Sequence, residues 1–374
     1  MSSQSSNTPF RYLIAIHPLG LLYGSAGPFL SPENLVGRAG NSFPPSAATL
    51  SGIFAACYGN DGIQDLQLAG PFWSETDTLD SNDKQDFFVP TPFIYLVEKG
   101  EEAIAHTLSW QASPSHPEQG SWRNKEGAQP IGKFESQTWL SLRQWDAPES
   151  IKRAPWKFLP HLHPRLELDQ RRVAVPPSDS QVSPEEDTDA QGSLFLENAV
   201  QLPSDVCLVY LSNKRLKNGW YRFGGEGHMV EVTCHDLAGA VSDRLAPPSL
   251  GCAFALITPG VWGSNRFSLR YPDAWRSQIY YDEQTGQESI LTAKPIPFRY
   301  RMGGKGTVKR LSRGRYAVPA GTVYIMRHPQ PPWHEWTSHW SADLFPQEGP
   351  YLNRWGCGLA LPLPHALSPQ IQAA

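Results

Sequence analysis

Proline and glycine are unusually frequent in this sequence, which has 35 prolines and 31 glycines among 374 residues. Proline interrupts helices and central strands alike, because its ring blocks the preceding helical turn and its nitrogen donates no hydrogen bond. We therefore expect many short elements joined by turns. Hydrophobic residues make up 40% of the chain and charged residues 18%, which indicates a folded globular protein and excludes a disordered one.

The five cysteines, Cys57, Cys207, Cys234, Cys252 and Cys357, are scattered and include no CxxC pair. An odd, unclustered set is typical of reduced thiols and not of a disulfide scaffold. The N-terminal residues lack the basic region of a signal peptide, and no segment approaches the ~20 apolar residues that span a bilayer. These features predict a soluble, cytoplasmic protein without membrane contact.

Apolar runs predict a fold dominated by strands. Phe10–Leu19 has the apolar density of a buried strand that Pro18 ends. Further strands are predicted in the runs 93–99, 164–169, 192–200, 206–212, 228–234, 252–258, 317–326 and 356–364. The chain is long enough for one large or two ordinary domains, so we expect an α+β fold with few helices.

The clearest helix is predicted after Ser46, a suitable N-cap, with Gly59 at its end. Between them, Leu50, Ile53, Phe54 and Cys57 recur at helical spacing. A domain boundary is expected after Trp145, which divides the chain into 1–145 and 146–374. The acidic, turn-rich run 176–192 is expected to form a flexible loop.

Charge is strongly segregated along the chain. The stretch Phe298–Tyr316, FRYRMGGKGTVKRLSRGRY, has seven basic residues and no carboxylate, although the whole chain carries a formal charge of −4. By contrast, Asn60–Glu102 contains ten acidic residues and two lysines. An even mixture would serve solubility, whereas this separation indicates two different partners.

The basic stretch is predicted to bind nucleic acid. Its four glycines favour a loop or hairpin whose backbone approaches a ligand closely. A dense array of Arg and Lys matches phosphate oxygens, and interleaved tyrosines are surfaces on which unpaired bases stack. The alternative is a solvated basic loop. The predicted contacts here are Arg299, Tyr300, Arg301, Lys305, Lys309, Arg310, Arg313 and Arg315.

A second segment of the same character lies at Asn213–Val232, where four basic residues precede a Gly-Gly-Glu-Gly run and an apolar strand. Such a glycine-rich loop lets the backbone close on a phosphodiester, although for this motif alone a tight β-turn is the favoured explanation. It is not a P-loop, because no GK[ST] follows. The predicted contacts in this segment are Lys214, Arg215, Lys217, Arg222, Gly224, Gly225, Gly227 and His228.

The histidines do not predict a metal site or a catalytic centre. His334 and His339 are five residues apart, so on a helix they would face different directions and would not share a metal. His161 and His163 lack accompanying Cys or carboxylate ligands. His228 is the one histidine considered for RNA cleavage, as a general acid or base. We expect no cofactor, no metal and no catalytic residue.

Four stretches, taken in order, resemble the CRISPR-associated RAMP proteins. FPPSAATLSGIFAA is similar to the entry into their first helix, and HPRLELDQRR with GSLFLENAV to a pair of their strands. YRFGGEGHMVEV with ALITPGVW resembles a Gly-Gly-Glu loop and a Thr-Pro strand end, and GRYAVPAGTVYIM a VPAGSVY strand. Together, over about Leu13 to Pro362, they are similar to subunit three of the Cmr (type III-B) complex, in the Cas-five group.

This resemblance implies two ferredoxin-like (RRM-related) domains and a non-enzymatic subunit of an RNA-guided interference complex. It implies that the subunit holds the 5′ repeat-derived tag of the CRISPR RNA and contacts a Cas-ten-type large subunit and a Cas-seven-type backbone subunit. His228 replaces an Arg common in the family, and the turn after His17 is neutral. Two alternatives remain: a RAMP-fold endoribonuclease that processes CRISPR RNA, and a protein-only scaffold.

Overall fold

The computed structural model describes residues 8–23, 43–113, 119–164, 173, 194–224, 227–264, 267–283, 285–302, 311–341 and 344–364. Several predicted features lie outside the described residues, namely the acidic loop 176–192, most of the predicted strand 164–169, Gly225, Lys305, Lys309 and Arg310.

Short strands dominate the described part of the chain. In chain order they are β1 (Tyr12–Pro18), β2 (Leu22–Tyr23), β3 (Leu68–Glu75), β4 (Phe88–Pro90), β5 (Tyr95–Val97), β6 (Ile104–Thr107), β7 (Ser109–Ala112), β8 (Gly120–Arg123), β9 (Thr138–Ser141), β10 (Lys152–Arg153), β11 (Lys157–Pro164), β12 (Leu194–Gln201), β13 (Val206–Ser212), β14 (Gly219–Phe223), β15 (His228–Asp236), β16 (Gly251–Leu256), β17 (Trp262–Gly263), β18 (Ser268–Leu269), β19 (Tyr281–Asp282), β20 (Gln287–Glu288), β21 (Ile290–Leu291), β22 (Ile296–Phe298), β23 (Arg315–Ala317), β24 (Val323–Gln330) and β25 (Ala360–Pro362).

Helices are few and mostly short, as the proline and glycine content predicts. The α-helices are α1 (Ala47–Gly62), α2 (Gly239–Leu245) and α3 (Trp336–His339). Single 3₁₀ turns occupy Thr76–Thr78, Leu142–Gln144, Asp273–Trp275, Trp333–Glu335 and Leu352–Trp355. None of the helices in the described ranges is long and apolar enough to cross a membrane.

The main sheet has eight strands in the order β10-β9-β4-β3-β13-β1-β15-β14. All its pairs are antiparallel, and β1 lies between β13 and β15, with Tyr12 opposite Ser212 on one side and Asp236 on the other. A four-stranded sheet has the order β21-β24-β16-β25, and a three-stranded sheet the order β11-β12-β2. The other strands form two-stranded ribbons.

The main sheet is apolar on both faces because its central strands are apolar throughout. On one face, Ile14 and Ile16 of β1 pack with Leu50 and Phe54 of α1. On the other face, Leu13 and Ala15 belong to a larger core that reaches the four-stranded sheet. Such burial on both faces requires continuous apolar runs instead of alternation, and β1 and β13 have them. The strand prediction at 206–212 is confirmed exactly by the bounds of β13.

Helix α1 begins directly after Ser46, as the sequence predicts, although the Ser46 side chain makes no capping hydrogen bond. Gly59 has φ 70° and ψ 172°, so the helix kinks where its end was predicted and continues to Gly62. A residue with a side chain would be strained at this φ, which explains the glycine.

The division expected after Trp145 stays a prediction. The main sheet combines β1, β3, β4 and β9 with β10, β13, β14 and β15, which follow that residue in the chain. The mixed, strand-rich character of the fold agrees with the predicted α+β class, while the description as two ferredoxin-like domains also stays a prediction.

Tryptophans fill the centre of the larger core. Trp275 is fully buried, and its ring lies 4.9 Å from that of Trp336, 5.5 Å from that of Trp262 and 5.4 Å from that of Tyr324. Such tilted and edge-to-face ring packing adds to the free energy gained from area burial. Trp220 is the opposite case, with 70% of its surface exposed.

We expect Trp275→Ala to lower the free energy of unfolding by about 3–5 kcal/mol, because the cavity cannot collapse among fixed rings. Urea denaturation followed by circular dichroism measures this change. Trp220→Ala is the matched control and should alter stability by less than about 0.5 kcal/mol. Equal effects of the two substitutions would contradict the described core.

Candidate nucleic-acid interface

The basic segment 298–316 forms the two sides of a hairpin. Strand β22 pairs with β23, so that Phe298 faces Arg315, and the pairing continues in a bridge between Arg301 and Leu311. The predicted hairpin is therefore present at both of its described ends. The residues 303–310 between these ends lie outside the description.

Two of the predicted contacts face the protein interior. Arg315 is only 6% exposed, and its Nη2 lies 3.3 Å from Glu348 Oε2 while its Nη1 donates to the Ser264 carbonyl at 3.0 Å. The Tyr300 hydroxyl donates to the Glu348 carbonyl at 3.0 Å, and burial raises the pKa of Tyr300 to about 12. These two side chains anchor the hairpin and present no surface to an RNA strand.

Other members of the segment face outward. Arg301 and Arg313 are exposed, and no ion pair is found for either side chain among the described residues. The Arg313 backbone N–H donates to Glu348 Oε1 at 2.8 Å, which fixes the chain at that point. Arg299 is half-buried and donates through Nε to the Ser312 carbonyl at 2.9 Å. The hairpin thus holds two guanidinium groups in solvent above a fixed base.

The second segment forms a hairpin at the edge of the main sheet. Edge strand β14 pairs with β15, and Arg222 lies opposite Met229. Trp220 and Arg222 point to solvent, while Phe223 packs inward with α1 and its neighbours. Gly224 and Gly227 adopt φ +77° and +67°, values that favour glycine, so the β-turn alternative explains part of this motif.

The four basic residues of this segment differ in their partners. Lys214 Nζ lies 2.8 Å from Asp65 Oδ1, and Arg215 Nη1 lies 3.3 Å from Asp236 Oδ1. Lys217 and Arg222 are exposed. His228 starts β15 opposite Phe223 and is half-buried. Arg215 is exposed as well, so the outward groups of this segment are Trp220, Lys217, Arg222 and the ion-paired Arg215.

Helix α1 connects the two basic segments. Near its start, Ala48 packs in a cluster with Tyr300. Near its kink, the Tyr58 hydroxyl donates to the Arg215 carbonyl at 2.5 Å. Ten residues of helix separate these points, which corresponds to roughly 15 Å along the axis at 1.5 Å per residue. The helix and both segments were recognisable in the sequence, but the distance along the helix between its contacts with the two segments was not.

A polar cluster that the sequence did not reveal lies on the main sheet. The Thr233 hydroxyl is 2.9 Å from His235 Nε2 and 3.2 Å from His17 Nε2, and His235 Nδ1 is 3.4 Å from Asp80 Oδ1. These four residues and Asp77 line a cavity of about 290 Å³. No linear motif signals the cluster, because its members come from β1, from β15 and from the turn at Asp80.

Burial lowers the pKa of both His17 and His235 from the ordinary value, and nearby carboxylates oppose this change only partly. The folded protein thus favours neutral imidazoles. In the described ranges, no group of three or more His, Cys, Asp or Glu side chains is placed to hold a metal ion.

The chain is similar to known CRISPR-associated proteins. The family model described as "CRISPR-associated protein (Cas_Cmr3)" matches residues 14–364. A chain from a cryo-EM structure of the Type III-B Cmr-beta bound to cognate target RNA is 13% identical, with a TM-score of 0.41 over 85% of this chain and 86% of that chain. A chain from the crystal structure of the Csm3-Csm4 subcomplex in the type III-A CRISPR-Cas interference complex is 10% identical, with a TM-score of 0.33 over 86% of this chain and 94% of that chain. No curated protein matches.

Glu348→Gln removes the charge that faces Arg315 in the interior. Because a buried guanidinium is left without its counter-ion, we expect the free energy of unfolding to fall by about 3–5 kcal/mol in urea denaturation. Asp273→Asn is the matched control, since it breaks the exposed pair with Arg276 and should cost about 0–1 kcal/mol. A change as small as that of the control would contradict the anchoring role of Glu348.

Acidification should destabilise the fold through His17 and His235. Their pKa values in the folded protein lie below the ordinary 6.5, so the unfolded chain binds protons more readily. Their contribution to stability is therefore complete above pH 6.5 and is lost as the pH falls through 6.5 towards the lowered values. Urea unfolding at a series of pH values measures the effect, and the double substitution H17Q/H235Q should flatten it. An unchanged pH dependence in that variant would count against the cluster.

Proposed function

Since the chain belongs to the Cas_Cmr3 family of CRISPR-associated proteins, we propose that it is a non-catalytic subunit of a type III RNA-guided interference complex. In this proposal it acts in the cytoplasm, holds the 5′ repeat-derived tag of the CRISPR RNA, and bridges a Cas-ten-type large subunit to a Cas-seven-type backbone subunit. The two hairpins of the candidate interface are the RNA contacts.

The observation that carries the proposal is that the basic hairpin has a buried arginine that fixes its position and exposed arginines that are accessible to a ligand. Arg315 is neutralised in the interior by Glu348, and the Arg313 backbone is held by the same carboxylate. The exposed side chains of Arg301 and Arg313 are thereby presented from a fixed base. Phosphates recognised by such preordered cations require less ordering of the protein on binding.

A second contact is assigned to the edge hairpin β14–β15. Its exposed Trp220 provides a flat ring for an unpaired base, and Arg222 follows two residues later on the same side of the strand. Stacking of a base on an aromatic ring contributes about 1–3 kcal/mol. Because α1 touches the two segments at positions roughly 15 Å apart along its axis, we expect a few nucleotides to lie between the two contacts.

The fold of the first half supports a ferredoxin-like unit. The strand order β3-β13-β1-β15, with α1 leading from β1 to β3, corresponds to a split βαβ arrangement. The β14 hairpin occupies the connection in which a second helix would be expected. We assign protein contacts to the acidic stretch Asn60–Glu102, because its carboxylates repel an RNA backbone.

Sequencing of RNA that co-purifies with the native assembly tests the proposal directly. We expect a uniform 5′ end that derives from the CRISPR repeat. An assembly without RNA would contradict RNA binding and favour the scaffold alternative. Shortening of added repeat RNA by the purified chain, abolished by His228→Ala, would contradict the non-catalytic role.

The salt dependence of RNA binding tests the two hairpins separately. The double substitutions R301A/R313A and K217A/R222A should each weaken binding of single-stranded RNA. They should also reduce the slope of log affinity against log salt by about 0.7 for each phosphate contact removed. Arg276→Ala, an exposed arginine outside both segments, is the matched control. A slope equal to that of the wild type in both double variants would exclude these hairpins as the contact surface.

A further inference from the structure

We propose that Phe267 and Tyr316 form a binding site for unpaired nucleobases at the side of the basic hairpin. The inference rests on the proposed RNA-binding function and extends it, because Phe267 lies outside both basic segments. Phe267 is 71% exposed and Tyr316 is 45% exposed. Two exposed rings on adjoining segments provide flat apolar surface on which unpaired bases can stack.

The two residues belong to neighbouring ribbons that are joined by polar contacts. Phe267 immediately precedes β18, and Tyr316 is the central residue of β23. The Tyr316 backbone N–H donates to Ser268 Oγ at 3.0 Å, one residue beyond Phe267. Arg315, the buried neighbour of Tyr316, donates to the Ser264 carbonyl in the same turn. These bonds hold the turn that carries Phe267 against the strand that carries Tyr316.

The backbone of Phe267 is held by Ser264 and lies close to Gly263. The Ser264 N–H donates to the Phe267 carbonyl at 3.0 Å, and the Phe267 N–H donates back to Ser264 Oγ at 3.2 Å. Gly263 has φ +95°, and a Cβ at this position would come within 2.3 Å of the Phe267 carbonyl oxygen. A glycine is therefore required at 263, where the chain passes close to the Phe267 carbonyl.

The charge near Phe267 and Tyr316 favours a nucleic acid as the ligand of this site. Residues 246–272 and 289–334, which contain both rings, include no Asp or Glu. The exposed guanidinium groups of Arg301 and Arg313 belong to the same hairpin as Tyr316. Flat rings beside exposed guanidinium groups suit a strand with negative phosphates and accessible base faces, which single-stranded RNA has and a duplex does not.

Binding of a short single-stranded RNA that carries 2-aminopurine tests this site in the full-length chain. Stacking on an aromatic ring quenches the fluorescence of this base. We expect Phe267→Ala and Tyr316→Ala each to weaken binding roughly 10-fold and to reduce the quenching, with the salt slope unchanged. The same RNA annealed to its complement should bind similarly to the wild type and to both variants.

Three further variants sharpen the test. Phe267→Trp should keep the affinity and Phe267→Leu should lose it, because stacking requires a ring and docking of an apolar protein segment does not. Tyr281→Ala removes a ring that is 51% exposed outside the two acid-free segments and is the matched control. If the wild type binds RNA with the expected salt slope while Phe267→Ala and Tyr316→Ala match it, this site is overturned and the proposed function stands. If the wild type binds no RNA, both are overturned.

Discussion

The interaction on which the candidate interface depends is the buried pair of Arg315 and Glu348. Removing two charges from water is costly, and the pair is stable because each group has additional polar partners. Glu348 accepts from the backbone of Arg313 as well as from Arg315, and Arg315 also donates to Ser264. A single ion pair thereby connects the hairpin β22–β23, the turn before β18 and the segment around Glu348. Positive charge that would otherwise repel its neighbours becomes part of the framework.

Although the chain carries a net charge of −4, the described basic residues of this segment are divided between the interior and the surface. Arg315 is paired with Glu348 in the interior, whereas Arg301 and Arg313 are exposed on the hairpin that this pair holds in place. In the segment that includes the edge hairpin, Lys214 and Arg215 have exposed carboxylate partners, and Arg215, Lys217 and Arg222 are themselves exposed. The half-buried histidines near Asp80 are held neutral and belong to a different, acidic surface.

Much of the framework was predictable from local sequence. The apolar runs of β1 and β13 and the periodic spacing after Ser46 specify these elements by themselves, because burial on both sheet faces or on one helix face leaves a direct pattern. The direction of individual side chains was not predictable in the same way. Arg315 and Tyr300 face inward because Glu348, more than thirty residues later, meets them there. The site at Phe267 depends likewise on a contact between ribbons, and the histidine cluster on a register between distant strands.

The position of β1 in the main sheet has a consequence for biosynthesis. Its two neighbours, β13 (Val206–Ser212) and β15 (His228–Asp236), are made much later, so β1 has no partner in this sheet until these segments have left the ribosome. Pairing between such distant segments is slow, because a long loop must close before any contact forms. An apolar strand that waits in this way is exposed to aggregation. Completion of the sheet therefore waits for β13 and β15, and β1 has no partner in this sheet until they have been made.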